Sequence, residues 1–222
     1  MNEILKDVYI WSVFSEEKKL NFNGYFIHTQ HPLFGNVVID PPSVSDLDLV
    51  QMETLGFVQQ ILITNRNHIR WSRELRGKFD AEIRMNSADE QSEDLISDHN
   101  FGDGDMLAGF LKAVVIPDNK SPGETALYWE ERKTLFVGDA LIGKPQGEVT
   151  LLPPEKYAEI EKAKAGIKVL DDLNFDSLLL GDGDPIPTGG KKAIERFLDK
   201  NLYNLKFNLI KRIIYNIAKS CY

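Results

Sequence analysis

The stretch that decides the fold is QQILITNRNHIR, residues 59–70. Its first half, Gln59–Thr64, is a short apolar run rich in isoleucine, which predicts a buried strand. Its second half turns polar at once and carries Asn65, Asn67, His68 and Arg70. Polar side chains that follow a buried strand are typical of the sites of α/β proteins. The stretch therefore predicts both a central strand and one part of a functional site.

Three other predicted strands end in the same way. LKAVVI runs into a turn that contains Lys120 and Gly123, TLFV ends in Gly138-Asp139, and DSLLL ends in Gly181-Asp182. Each Gly-Asp pair alone is a common turn. Because the ends of neighbouring strands meet at one edge of a sheet, the four endings together predict one polar cluster.

The remaining pattern alternates strands and helices. Strands are predicted at 7–14, 23–29, 36–40, 59–64, 81–85, 112–116, 125–130, 134–137 and 177–180, and helices at 43–55, 68–77, 154–165, 191–200 and 203–219. Ser45 is a plausible N-cap of the first helix, and Gly56 ends it. Each half of the chain passes from strands to helices, which indicates two sheets packed face to face with helices outside.

Composition sets the class of protein. The chain has 222 residues, 42% of them hydrophobic, which is enough for one large domain with its own core. Its single cysteine, Cys221, excludes an intrachain disulfide and a cysteine-based zinc site. The first residues lack a basic segment followed by an apolar one, and no apolar run reaches eighteen residues. We therefore predict a cytoplasmic protein without a transmembrane segment.

Charge is distributed unevenly along the chain. Residues 186–222 hold eight Lys or Arg against two acidic residues, 8 − 2 = +6, so the rest carries −8 − 6 = −14. Such an acidic body argues against nucleic acid as the main ligand, because phosphate contacts need clustered cations. We predict one domain over residues 1–200 and a basic amphipathic tail over 201–222. The tail could pack on the body, form a homodimer or lie on an anionic membrane.

In order and spacing, these landmarks resemble the metallo-β-lactamase-fold hydrolases. The resemblance covers roughly residues 7–200 and includes NVVIDPP, ILITNRNHIR, KSPGETALY, LFVGDAL and LLGDGDPI. It implies a four-layer αββα sandwich. It also implies a hydrolase, because the family normally binds one or two zinc or iron ions that activate water. The chain closely resembles a degenerate branch of metal-dependent hydrolases in this fold with the pattern TNxDHxR, K-[ST]-PGE, GD and GDG, although Asn67 stands where that branch has Asp.

The family's metal ligands are mostly replaced in this chain. The resemblance places the first two motif histidines on Asn65 and Asn67 and the last on Arg70, and the motif aspartate falls on Ile69. The turn histidine falls on Lys120 and the final histidine on Asp182, whereas the bridging carboxylate is retained as Asp139. His68 lies one residue out of step with the ligand positions, so its side chain is expected to point in a different direction.

The residue types predict a pocket with an unusual charge arrangement. Zinc prefers nitrogen and sulfur ligands, and a Lys or Arg beside a divalent ion is unfavourable. We therefore expect Lys120 and Arg70 to neutralise Asp139 and Asp182 in a metal-free pocket. A single divalent ion on Asp139 and Asp182 is the alternative, and oxygen ligands would favour magnesium, manganese or calcium over zinc.

Three functions compete at this stage. The first is a hydrolase of the superfamily with most metal ligands replaced, and the second is a non-catalytic protein that binds a small anion through Arg70 and Lys120. The third is a metal-independent enzyme with His68 or Lys120 as the base. The predicted catalytic residues are His68, Lys120 and Asp139, and the predicted ligand-binding residues are Asn65, Asn67, Arg70, Lys120 and Asp182. The substrate stays open, since the fold does not fix it.

Overall fold

A computed structural model describes residues 1–29, 34–89 and 97–200 of the chain. The strands are β1 Asn2–Leu5, β2 Val8–Ser15, β3 Leu20–Ile27, β4 Asn36–Ile39, β5 Val58–Ile63, β6 Glu82–Asn86, β7 His99–Phe101, β8 Met106–Leu107, β9 Leu111–Val115, β10 Thr125–Trp129, β11 Thr134–Val137 and β12 Ser177–Leu180. The α-helices are α1 Asp46–Leu55, α2 Ser72–Phe79, α3 Ile160–Gly166 and α4, residues 190–200.

The strands form two sheets. The first has the order β1-β2-β3-β4-β5-β6-β7, and the second has the order β12-β11-β10-β9-β8. In the first sheet β1 to β4 pair antiparallel, whereas β4 to β7 pair parallel. In the second sheet β11 and β12 are parallel neighbours. The parallel strands bring the loops after β4, β5, β11 and β12 to the region where the site lies.

Alternating side chains build three apolar layers around these sheets. On β5, Leu62 belongs to the cluster between the sheets, while Ile61 and Ile63 belong to the cluster that includes α1 and α2. On β11, Phe136 faces the first sheet, while Leu135 packs with residues of α4. Both faces of each sheet are therefore buried, which gives the helix–sheet–sheet–helix order of a four-layer sandwich. The predicted fold class is confirmed.

The ends of the helices show where sequence patterns were accurate and where they were wrong. Ser45 does cap α1, since its side chain accepts a hydrogen bond from the backbone N–H of Asp48. The helix predicted over 68–77 begins only at Ser72, because Arg70 has a left-handed backbone (φ 41°) that interrupts it. The helix predicted over 154–165 begins at Ile160, because Tyr157 is extended and separates it from a short 3-10 turn.

The C-terminal part of the chain is described only as far as residue 200. The predicted helix at 191–200 is confirmed as part of α4. The helix predicted at 203–219, and with it the role of the basic tail, lies outside the described residues. No helix in the described part of the chain has the length and apolar character needed to cross a bilayer.

Candidate functional site

The site lies where loops from the two sheets meet. Asp40 follows β4, Thr64 follows β5, Asp139 follows β11 and Asp182 follows β12. All four residues are buried. Carboxyl groups that are taken out of water need hydrogen bonds or opposite charges, so the partners of these groups determine what the site can do.

His68 lies at the centre of this cluster and is itself buried. Its Nδ1 is 2.7 Å from Asp40 Oδ2, while its Nε2 is 3.4 Å from Asp139 Oδ1 and 3.8 Å from Asp182 Oδ1. His68 thus points into the cluster, although it lies one residue out of step with the family's ligand positions. Residues 66–68 form a 3-10 turn, capped by the Asn65 side chain on the backbone N–H of Asn67. The direction expected from an extended chain does not apply in such a turn.

Two effects compete at the imidazole of His68. Burial and the nearby Arg70 lower its pKa, but the carboxylates of Asp40 and Asp139 outweigh them and raise the pKa to about 10. Asp40 is held in place by the backbone N–H of Thr64 at 2.8 Å and by the Thr64 hydroxyl at 2.5 Å. The two carboxylates thus favour the protonated ring, whereas the Arg70 donor, 3.0 Å from Nε2, favours the neutral one.

Arg70 reaches into the same cluster. Its Nη2 donates to Asp182 Oδ1 at 2.5 Å and lies 3.0 Å from His68 Nε2. The guanidinium carbon lies 4.5 Å from the centre of the Phe22 ring, a cation–π arrangement that helps to fix the side chain. One nitrogen of Arg70 is therefore close to two of the atoms that could serve as metal donors.

Lys120 neutralises the second carboxylate. Its Nζ lies 2.5 Å from Asp139 Oδ2, and the Asp139 side chain is only 4% exposed. Burial alone would raise the pKa of Asp139, but the His68 and Lys120 charges hold it well below its usual range. The predicted pairing of Lys120 with Asp139, like that of Arg70 with Asp182, is confirmed by the geometry.

A buried carboxylate that was missed in the sequence orients two of these loops. Asp89 accepts hydrogen bonds from the backbone N–H of Arg66 at 2.9 Å, the hydroxyl of Ser121 at 2.5 Å and the backbone N–H of Gly123 at 2.8 Å. It thereby joins the turn that carries His68 to the turn that carries Lys120. A Cβ on Gly123 would lie 2.6 Å from the Asp89 carboxyl carbon, so this contact needs a glycine.

Glu124 is a second buried carboxyl group that was missed. Its Oε1 accepts the backbone N–H of Ala140 at 3.1 Å and lies 3.4 Å from Asn65 Nδ2, while its Oε2 has no partner among the described residues. Burial, together with the nearby Asp139 charge, raises the pKa of Glu124 well above its usual range. Burial at this position therefore disfavours the ionised form of Glu124.

The loop that carries Asp182 is fastened to the opposite sheet. Asn23 donates through its amide to the carbonyls of Leu180 at 2.8 Å and Gly183 at 2.7 Å, and Tyr25 donates to the Leu180 carbonyl at 2.7 Å. A Cβ on Gly181 would lie 2.7 Å from His68 Cε1. The two sheets thus hold Asp182 and His68 in fixed positions relative to each other.

A cavity of about 350 Å³ opens onto this cluster. Its walls contain Lys18, Leu20, Phe22, Asn67, His68, Arg70, Lys120, Asp139, Leu152, Pro153, Lys156 and Asp182. Six of the seven predicted site residues therefore line one cavity. The seventh, Asn65, is buried behind it and caps the 3-10 turn. The sequence analysis missed the two exposed lysines at the rim of the cavity, Lys18 and Lys156, and its apolar wall. Nothing in the sequence around these residues distinguishes them from ordinary surface residues.

Whether the metal of the family fits this site depends on the donor atoms that the chain offers. His68, Asp139 and Asp182 each have a donor atom, all within 4.8 Å of one another, which is a set that could hold one ion. However, Arg70 Nη2 stands within hydrogen-bond distance of both His68 Nε2 and Asp182 Oδ1, and Lys120 is bound to Asp139. A metal bound to these donors would compete with both cations for the same space and charge. The residues, as arranged, do not fit the metal.

Comparison with solved structures identifies the architecture. A metallo-beta-lactamase family protein from Thermus thermophilus is 18% identical, covers 92% of this chain and 82% of its own, and superposes with a TM-score of 0.67. The protein TTHA1623, solved in a di-iron-bound form, is 22% identical over 82% of this chain and 96% of its own, with a TM-score of 0.64. A metallo-beta-lactamase from Pontibacter korlensis is 12% identical over 89% and 96%, with a TM-score of 0.71.

Sequence comparison decides the family. No protein with a curated functional description matches the chain. A sequence profile described as the metallo-beta-lactamase superfamily, in contrast, matches residues 3–200. That match spans most of the chain and agrees with the sandwich fold and with the landmarks at the strand ends. The chain therefore belongs to the metallo-beta-lactamase superfamily.

Proposed function

We propose that this member of a hydrolase superfamily uses its cleft, without the usual dinuclear metal centre, to bind a small anionic molecule. Membership of the superfamily by itself supports a hydrolase or a metal-dependent enzyme. The observation that carries the narrower proposal is the position of Arg70, whose Nη2 is shared between His68 Nε2 and Asp182 Oδ1. Arginine has no acceptor and stays protonated, so it acts as a fixed positive charge in that place.

Lys120 supports the same interpretation. Its ammonium group has three donors and uses one on Asp139, which leaves two for a ligand. Its side chain is 25% exposed and lines the cavity, as does that of Arg70. Charge-assisted hydrogen bonds from such groups are the usual means of holding carboxylates and phosphates. The cleft thus offers positive donors at the place where the family normally holds metal.

The alternative of a metal-independent enzyme has less support. A general base must be unprotonated at the working pH, and the pKa of His68, raised to about 10, opposes this. The Lys120 Nζ is already engaged with Asp139 Oδ2 at 2.5 Å. The catalytic roles predicted for His68, Lys120 and Asp139 therefore stay predictions. Charge stabilisation of a bound anion suits Lys120 better than proton abstraction does, and Asp139 would hold Lys120 in position.

A second candidate function is a hydrolase with one metal ion. It is favoured by the single nitrogen and two carboxylate donors of His68, Asp139 and Asp182, which come within 4.8 Å of one another. This candidate requires Arg70 to leave its present place. It therefore predicts that replacing Arg70 strengthens metal binding, whereas the anion-binding proposal predicts that the same change weakens anion binding.

Elemental analysis and anion titration distinguish the two candidates. Untagged protein is analysed for metal before and after incubation with zinc, manganese and iron, and is then titrated with inorganic phosphate and acetate. We expect substoichiometric metal throughout and saturable anion binding that falls at least tenfold in Arg70→Gln. Stoichiometric metal that is lost in Asp139→Ala and Asp182→Ala, but kept in the exposed control Asp199→Ala, would refute the metal-free proposal and support the hydrolase.

A further inference from the structure

The charges around the cavity separate into a balanced interior and a positive rim. Inside the cavity Arg70 pairs with Asp182 and Lys120 pairs with Asp139, so each of the two cations stands against one carboxylate. The interior therefore supplies hydrogen-bond donors in fixed positions but little net charge.

The net positive charge lies at the mouth of the cavity. Lys18 and Lys156 line it, and Lys18 is paired with Glu17 at 2.7 Å. The sum at the rim is therefore 2 − 1 = +1. One excess positive charge matches one negative charge on the ligand better than it matches a multiply charged group such as a nucleoside triphosphate.

The rest of the wall is apolar. Leu20, Phe22, Leu152 and Pro153 line the same cavity as the cations. Arg70 covers the Phe22 ring at 4.5 Å, so the aromatic face and the charge are adjacent. A bare inorganic anion would leave this apolar surface in contact with water, whereas an organic anion would cover it. The volume of about 350 Å³ lies at the small end of the range for ligand pockets.

From this juxtaposition we propose that the ligand is a small organic monoanion, a carboxylate with an apolar body. The carboxylate meets Lys120 and the rim lysines, and the apolar body lies against Leu20, Phe22, Leu152 and Pro153. This assignment rests on the proposed function and narrows it from anions in general to one class. It also explains why an apolar wall stands beside a charged cluster.

A homologous series of ligands tests the assignment. The full chain is titrated calorimetrically with acetate, butyrate, hexanoate and octanoate. Inorganic phosphate serves as an anion without an apolar part, and 1-hexanol serves as an apolar chain without a charge. We expect the dissociation constant to fall about fourfold for each added methylene group until the cavity is filled. We also expect hexanoate to bind at least tenfold more tightly than either phosphate or 1-hexanol.

Two variants with one matched control locate the binding. Leu152→Gln should flatten the dependence on chain length, and Lys156→Gln should weaken every carboxylate about equally. Lys192→Gln removes the same charge from an exposed position on α4 that does not line the cavity, and should leave all constants unchanged. Circular dichroism confirms that each variant is folded.

Each outcome has a distinct meaning. Phosphate or acetate binding as tightly as hexanoate would overturn the organic monoanion while leaving the anion-binding function intact. Equal binding of 1-hexanol and hexanoate would show that the cations do not select the ligand, which would overturn both proposals. Absence of binding by every member of the series, phosphate included, would also overturn both.

Discussion

Replacing Lys120 with methionine is the sharpest test of the idea that lysine takes over the charge role of a metal. The substitution keeps the length of the apolar stem but removes the ammonium group that lies 2.5 Å from Asp139 Oδ2. Asp139, 4% exposed, would keep His68 Nε2 as a neighbour at 3.4 Å. Breaking a buried ion pair by removing one partner typically costs about 3–5 kcal/mol.

The expected cost is somewhat smaller here. His68 remains near Asp139, and the 25% exposed Lys120 side chain marks a path for water. We therefore expect Lys120→Met to lower the free energy of unfolding by about 2–3 kcal/mol. For a domain of this size that corresponds to a fall in melting temperature of about 4–12 °C. Asp139→Asn should cost less, about 1 kcal/mol, because the freed lysine can extend into solvent.

A double-mutant cycle provides the assay. Urea denaturation of the wild type, both single variants and Lys120→Met/Asp139→Asn gives the coupling free energy between the two side chains. Because removing both charges leaves no buried charge unpaired, we expect the double variant to lose only about 1–2 kcal/mol and the coupling to reach roughly 2 kcal/mol. Additivity within about 0.5 kcal/mol would show that the pair does not interact and would refute the reasoning.

Four further predictions follow from the same geometry. The raised pKa of His68 means that its contribution to stability is complete below pH 6.5 and is lost as the pH rises toward about 10; urea denaturation should show this decline, and His68→Gln should flatten it. Asp89→Asn should cost about 2–3 kcal/mol in thermal unfolding, because an amide N–H would face the N–H and O–H donors that the carboxylate accepts. Gly181→Ala should displace the imidazole of His68 and change its NMR signals, since the new methyl group would lie 2.7 Å from Cε1. Dialysis against EDTA should leave the melting temperature unchanged, and a fall of several degrees would contradict the metal-free site.

The sequence predicted the site residues best where a charged side chain directly follows a predicted strand. Each of Asp139 and Asp182 follows an apolar strand, and parallel neighbours bring such ends together whatever the loops do. The pairing of each carboxylate with Lys120 or Arg70 could then be inferred, because a buried carboxylate needs a partner and the resemblance places these two cations at ligand positions of the family. The fold and the two ion pairs could therefore be predicted from the residue types and their order along the chain.

The remaining features depend on contacts that no local pattern encodes. Asp89 is buried by donors that lie 23 to 34 residues away, two of them backbone N–H groups. In the sequence it stands within an acidic stretch, which normally indicates a solvated surface. The direction of the His68 side chain was hard to predict for a related reason, because it follows from a 3-10 turn whose cap, Asn65, resembled a replaced metal ligand.

The proposed metal-free arrangement would also account for the neutral residues of the site. Arg70 and Lys120 pair with Asp182 and Asp139, so two cations stand against two carboxylates. A divalent ion would add two positive charges to this balance, so its binding must release protons or expel Arg70 or Lys120. In this arrangement positions 65 and 67 have a role that needs no metal. The asparagines there instead stabilise the turn, since Asn65 accepts from both the backbone and the side chain of Asn67. The site is thus consistent in charge and hydrogen bonding as a metal-free structure, and a ligand needs to supply only the negative charge that the rim lysines leave unbalanced.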